Sequence, residues 1–488
     1  MTMKDANLDV LPKPGLLING ERITRTSGGQ IEHIYPATGK PTVRVPLAGN
    51  KEIDQAVQAA RAAFPEWRAM PADERRNLMF RFSQLLTEKA ESISQMITVE
   101  NGTPISIARN SPTHIADVFA YNAGWADKIG GHVVDVWPAP ALDYTLEEPY
   151  GVVAVILPWN APAVQFSMIA APALAAGNCI VVKPSSVTPF TAVRLGELLL
   201  EAGFPPGVVN VIPTGSGGGE ALCSHPGIDK IHLTGSVATA RAVMTAAAKN
   251  VTPVGFELGG KSANIIFNDA NLQDAAQSAV MWLMLISGQV CIKGSRILVQ
   301  SGVYDQVIEQ CRAFTEDISV GDPALETTMM GPVVSASQCT QIMGFIERAK
   351  QTKSGRLVTG GQHLGGELAE GYFIAPTIFA DVDANAEIAC EEVFGPMLTI
   401  TRFDTEQEAI RIANNTEFGL AGYIHTNDLK RAHRVAKAMN TGNIWINEFV
   451  GMPASIPFGG IKKSGFGRVG GIEGIREFTR PKNVMVSM

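Results

Sequence analysis

Residues 151–183 read GVVAVILPWNAPAVQFSMIAAPALAAGNCIVVK, and no charged side chain occurs before Lys183. The stretch is long enough to cross a bilayer. However, Pro158, Asn160, Pro162, Pro172 and Asn178 would break a single helix and bury amides in lipid. It therefore reads as a buried strand (Val152–Leu157), a functional loop, a helix (Phe166–Ala175) and a second buried strand (Cys179–Lys183). Apolar strands with no polar alternation, separated by a helix, require a parallel sheet covered on both faces.

The same alternation continues downstream. Val208–Pro213 and Lys230–Thr234 are predicted strands, with helices at Ala192–Ala202 and Glu220–Ser224. A second alternating region runs from about Asn264 to Asn447, with strands near Ser262–Phe267, Ile297–Gln300, Met397–Phe403, Ala421–His425 and Gly442–Ile446. Upstream lie short strands at Leu16–Asn19 and Glu32–Tyr35. Helical stretches follow at Ile53–Phe64 and Ala72–Thr98, with Pro65 and Pro71 as punctuation. The expected fold is α/β, with two doubly wound parallel-sheet domains and a ligand-binding cleft between them.

Composition narrows the function. The 488 residues are 45% hydrophobic and 18% charged, which is ordinary for a globular chain. A formal charge of −7 without any basic run gives no reason to bind nucleic acid or an anionic membrane. The cysteines Cys179, Cys223, Cys291, Cys311, Cys339 and Cys390 are scattered without a C-x-x-C pair, so neither a disulfide framework nor a metal site is signalled. Reduced thiols and an N-terminus (MTMKDANLDV) lacking an apolar leader point to the cytoplasm.

Three short segments carry chemistry. In Ser287-Gly-Gln-Val-Cys291-Ile-Lys-Gly-Ser-Arg296, Gly288 allows close backbone approach, and Lys293 or a helix terminus is placed to lower the thiol pKa. In Glu257-Leu-Gly-Gly-Lys-Ser262, two glycines give a flexible turn from which a carboxylate can act as general base. Leu157-Pro-Trp-Asn160 follows a buried strand, where an amide can donate to a developing oxyanion or simply cap the next helix.

Together these segments resemble the aldehyde dehydrogenase superfamily, in its order and spacing over nearly the whole chain. Lys183-Pro-Ser-Ser, Leu233-Thr-Gly-Ser236, Glu391-Glu-Val-Phe-Gly-Pro396, Asn414–Leu420 and Pro457–Arg468 extend the likeness. The resemblance implies an NAD(P)-dependent enzyme of the hydrolytic, non-acylating type. Cys291 would be the nucleophile, Glu257 the base that activates water, and the Asn160 side chain with the Cys291 N–H the oxyanion donors. Lys183 and Ser186 would face the adenosine ribose, and Gly215, Gly219, Gly235 and Ser236 the pyrophosphate and adenosine side. Trp159, Glu392 and Phe394 would line the nicotinamide side. It also implies a Rossmann-like cofactor domain (1–128 and 150–257), a catalytic domain (258–470) and a β oligomerisation arm (129–149 and 471–488). The glycine run Gly215–Glu220 lacks the ordinary G-x-G-x-x-G fingerprint, as the resemblance leads one to expect.

The chain departs from the family's pattern at informative places. Ser186 stands where most NAD-preferring members carry a glutamate, and a hydroxyl beside Lys183 accommodates a 2′-phosphate that a carboxylate would repel. The expected cofactor is therefore NAD or NADP. The substrate tunnel would be lined by Ala161, Val164, Gln165, Met168, Val290, Ile292, Val450 and Met452. That set holds no Arg or Lys for an anionic semialdehyde and no Trp or Tyr to cage a quaternary ammonium. It implies a small-molecule partner that is an uncharged, apolar aldehyde, whether aliphatic, aromatic or terpenoid-like. The tail Phe478–Met488 alternates Val484, Val486 and Met488 like a half-exposed strand and would pair with Gly131–Glu148, which favours a homodimer or homotetramer. Two other readings stand beside this one. A CoA-acylating enzyme would not need Glu257, and a non-catalytic structural member would not need Cys291, Glu257 and Asn160 intact.

Overall fold

The computed structural model describes residues 7–138 and 140–487. Its first sheet has eight strands in the order Gly465–Phe466, Val254–Glu257, Lys230–Thr234, Val152–Ile156, Cys179–Lys183, Val209–Val211, Leu16–Ile18 and Glu21–Ile23. The five from Val254–Glu257 to Val209–Val211 run parallel. Antiparallel strands close both edges. The runs VVAVI and KIHLT are buried at every position, as strands covered by helices on both faces must be.

A second sheet of seven strands follows the order Arg356–Thr359, Thr377–Ala380, Met397–Phe403, Arg296–Gln300, Ala263–Ile266, Ala421–His425 and Asn443–Ile446. Only the Arg356–Thr359 pairing is antiparallel. The third sheet is small: Thr479–Ser487 pairs antiparallel with Ala141–Pro149, which pairs with Val133–Val134. Val484 and Val486 lie on its outer strand, and Met488 lies outside the described residues. The α/β class expected from the alternation is the one observed.

Several local expectations need correction. Pro65 does not end the first helix, which runs from Asn50 to Ala69. Proline forfeits one hydrogen bond there. Trp67, fully buried and 5.3 Å from the Phe204 ring, holds the last turn by packing. The helix expected over Ala72–Thr98 is two helices, Ala72–Glu88 and Ala90–Asn101, meeting at Lys89. The helix after Asn160 starts at Pro162 rather than Phe166 and passes through Pro172. Val254–Glu257 and Gly465–Phe466, to which the sequence pattern assigns no element, are strands. No helix among the described residues is long and apolar enough to cross a membrane.

The parallel strands of the first sheet end together at one edge. Leu157–Asn160 follow Ile156, Pro184–Ser186 follow Lys183, Gly235 and Ser236 follow Thr234, and Glu257 is itself a terminal residue. Ligands of open α/β sheets bind outside this carboxyl edge. Four of the sequence segments singled out above thus reach the same rim.

Candidate active site

Cys291 owes its position to an unusual backbone. Ile286, Ser287 and Gly288 adopt φ of 49°, 54° and 71°, three successive residues in the left-handed region. Side chains disfavour that region, so fixed contacts must hold it. The Ser287 hydroxyl donates to the Gly331 carbonyl at 2.8 Å. The Gln289 amide donates to the Ile286 carbonyl at 2.9 Å and accepts from the Val334 N–H at 3.0 Å. Gly288 passes so close to the neighbouring loop that a Cβ would lie 2.2 Å from the Gly395 carbonyl. The loop then delivers a half-buried thiol to a cavity of about 230 Å³.

Asn160 and Glu257 line the same cavity. The Asn160 amide donates to the Gln289 carbonyl at 2.9 Å, which ties it to the cysteine loop and leaves its second N–H unspent. Both Glu257 carboxylate oxygens are buried without a hydrogen-bond partner among the described residues. Burial pushes this carboxyl well above the usual range; Arg468 opposes the shift and Glu477 adds to it. Burial likewise pushes the Cys291 thiol up to about 12, helped by the Glu392 and Glu257 carboxylates. Lys293 does not lower it. Its ammonium is turned away to the Gly395 carbonyl, and burial brings its own pKa down to about 7.

The cofactor positions fall into two groups. Trp159, Gly235, Ser236, Glu392 and Phe394 line the cavity with Cys291. The Trp159 and Phe394 rings meet edge to face at 5.3 Å. Glu392 accepts from the Gly260 N–H at 3.0 Å, and burial raises its carboxyl to about 7. Gly259 leaves room for this carboxylate: a Cβ there would come within 1.9 Å of it and displace it. Farther along the rim, Lys183 lies beside Gly219, whose Cβ would be 3.7 Å from the lysine Cε, and Ser186 is half-buried. Gly215 borders a second cavity of about 440 Å³.

These residues fit an extended dinucleotide. Ser236 caps the helix Val237–Ala248, whose first N–H groups and positive end suit a pyrophosphate. The glycines keep side chains out of the path, and the Lys183 ammonium, which donates to the Pro184 carbonyl at 3.0 Å, can turn to a ribose.

The substrate positions are less uniform. Gln165 reaches the cavity of Cys291. Met168 and Met452 meet in a narrow pocket with His114 and Asn122. Ala161, Val164 and Val290 are half-buried, Ile292 is buried in the main core, and Val450 is 70% exposed. The cavity also includes Gln338 and Gln341, which sequence reading did not single out. They sit on the helix Ala336–Gln351, and the Gln338 amide donates to the Phe394 carbonyl at 2.9 Å. Nothing near them in the sequence signals this, because only the tertiary fold brings that helix to the cysteine loop.

The aldehyde dehydrogenase family matches the chain over residues 23–484. The chain belongs to this family. An aldehyde dehydrogenase of Emericella nidulans is 41% identical to it over 474 residues, covering 96% of this chain and 94% of the other. A betaine aldehyde dehydrogenase of Rhizobium leguminosarum bv. trifolii is 40% identical over 479 residues, 98% of each chain. Among solved structures, PnpE from Pseudomonas sp. WBC-3 superposes with a TM-score of 0.95 at 39% identity, covering 98% of each chain. PnpE has also been solved in complex with nicotinamide adenine dinucleotide. The enzyme is an aldehyde dehydrogenase by family, as its motifs lead one to expect.

Proposed function

We propose that this enzyme oxidises an uncharged, apolar aldehyde to the carboxylic acid with NAD or NADP, through a covalent thioester on Cys291. The observation that carries this reading is the convergence of Cys291, Asn160 and Glu257 on one cavity. The resting thiol is neutral, so attack on the carbonyl carbon requires its proton to pass to solvent water, and the sulfur–carbon bond forms as the carbonyl oxygen becomes an oxyanion. The free N–H of Asn160 and the backbone N–H of Cys291 stabilise that charge. When bound, the nicotinamide supplies the acceptor for the departing hydride. Glu257 then removes a proton from water as its oxygen attacks the thioester, and the Cys291 thiolate leaves. A base lining the same cavity as the thiol favours water over CoA as the acyl acceptor. Mass analysis after a single turnover tests the scheme: an acyl adduct should appear on Cys291, and its absence would sink it.

An apolar substrate is supported by the lining. Among the described residues, neither Lys nor Arg borders the cavity of Cys291 or the pocket of Met168 and Met452. Aromatic rings do gather nearby, but Trp282, Tyr423, Trp445 and Phe449 pack on one another at 5.0–5.5 Å and spend their faces there. A quaternary ammonium, the substrate type in the name of the Rhizobium relative, would need those faces open. Faster turnover of betaine aldehyde than of hexanal or benzaldehyde would overturn this. For the cofactor, Ser186 beside Lys183 supports acceptance of NADP. A strong preference for NAD in catalytic efficiency would remove that part.

The sheet-centred units, 1–128 with 150–257 and 258–470, would serve as cofactor and catalytic domains. The arm, 129–149 with 471–488, would join subunits into a homodimer or homotetramer. Val133, Leu142, Leu146, Met485 and Val486 are exposed on the arm, and a strand edge this apolar calls for a partner. Free cysteines throughout the described residues accord with a cytoplasmic home.

A further inference from the structure

In a parallel pair, residues opposite one another point to the same face. His232 lies opposite Gly255, and Thr234 opposite Glu257. Since side chains alternate along a strand, Lys230, His232, Thr234, Gly255 and Glu257 all share one face of the first sheet. That face carries a concentration of orphaned polar atoms. Both oxygens of Glu257, the Thr234 hydroxyl and both ring nitrogens of His232 are buried without a protein partner. Buried polar groups of this kind are normally satisfied, by ordered water where protein does not serve.

The row ends at an ion pair. The Glu477 carboxylate, at the end of the helix Gly471–Arg476, meets the Lys230 ammonium at 2.8 Å and is 14% exposed. Gly255 admits it: a Cβ there would lie 2.4 Å from the Glu477 Oε1 and 2.9 Å from the His232 Nδ1. Gly467 leaves room on the other side, where a Cβ would lie 2.9 Å from the Glu477 Oε2. Phe478 closes the face beside the histidine, with ring centroids 5.8 Å apart. A polar row thus runs from the base at the cavity to a carboxylate at the surface, through a region otherwise built of valine, isoleucine and phenylalanine.

We infer that Glu257 sends its proton out of the site along this row, through Thr234, His232 and bridging water to Glu477, rather than back through the substrate cavity. The inference rests on the reading of Glu257 as the base. Each turnover leaves one proton on Glu257, taken from the attacking water, and that proton must depart before the next. The strand rise of about 3.3 Å per residue puts successive groups on one face about 6.6 Å apart, so a water molecule is needed at each step. Burial keeps His232 neutral, with a pKa down to about 3, helped by Lys230. A neutral imidazole can accept at one nitrogen while donating at the other. Glu477 faces Lys230 on the strand, while Arg468 and Cys291 approach Glu257 from other segments.

The test compares His232→Gln, Glu477→Gln and Glu257→Gln with the wild type in reactions with excess aldehyde and cofactor, quenched over several successive turnovers. The acyl adduct on Cys291 is followed by mass, and rates are normalised to the adduct formed, which counts intact sites. The inference expects a normal first turnover in the first two variants, then an adduct that builds up and hydrolyses about tenfold or more slowly from the second turnover on, with a larger solvent deuterium isotope effect on that slowed hydrolysis. If His232→Gln and Glu477→Gln both release acid at the wild-type rate with an unchanged isotope effect, the relay is refuted. Glu257→Gln separates the two ideas: fast decay there overturns the role of the base itself, whereas slow decay there with normal decay in the other two overturns only the exit route.

Discussion

Asn160→Ala is the sharpest test of how the site is built, because the amide has two separate tasks. One N–H is spent on the Gln289 carbonyl at 2.9 Å, and the side chain is only 5% exposed. Truncation strands that carbonyl, at a cost of about 1–3 kcal/mol of stability. The other N–H is lost to the oxyanion, and removing one such donor from an acyl-transfer site costs about 2.7–4 kcal/mol of barrier, or 10²–10³ in rate. The Cys291 backbone N–H remains, so the variant should be crippled rather than dead. Stopped-flow absorbance of the first turnover measures the chemical step, and thermal unfolding measures the stability term independently. A folded variant whose first turnover is unchanged would refute the assignment of Asn160 and leave it a structural tie. Asn160→Asp should be worse than alanine on both counts, since an ionised carboxylate would oppose both the Gln289 carbonyl and the oxyanion.

The remaining expectations follow from the same geometry. Because burial raises the Glu257 carboxyl, its basic form is present above that raised pKa and lost as pH falls through it. Thioester hydrolysis should therefore slow on acidification, and in Glu257→Gln it should be slow at every pH while the Cys291 adduct accumulates; a wild-type pH profile in that variant would contradict this. Gly259→Ala puts a methyl 1.9 Å from the Glu392 carboxylate, which should cost about 1–3 kcal/mol in overpacking and weaken cofactor binding measured by titration. Met485 is 61% exposed on the outer strand of the small sheet. Met485→Asp should shift the sedimentation profile toward smaller species, and an unchanged profile would remove that face from the interface.

The sequence displayed the fold where the strands were apolar at nearly every position. Val152–Ile156 and Cys179–Lys183 were legible as uninterrupted apolar runs between helix-forming segments. Val254–Glu257 was not, because Gly255 has poor strand propensity and Pro253 precedes it. The strand is held by neighbours on both sides rather than by local preference. Pro65 misled for the opposite reason: its local effect is real, but the packing of Trp67 outweighs it. At the site, Cys291 and Glu257 were legible beside glycine turns and Asn160 just after a buried strand. Gln338 and the row from Thr234 to Glu477 were not. Their proximity arises from strand register and from a helix that docks only in the finished fold.

The left-handed run at residues 286–288 has a bearing on redesign. Its course is locked against the backbone at 395, so the direction in which the sulfur faces belongs to two loops jointly rather than to one. Libraries that randomise 286–288 alone should return chiefly inactive clones. Re-aiming the nucleophile toward bulkier aldehydes calls for co-varying 394–396, while Gln165 and Met168, on a regular helix, can be changed one at a time.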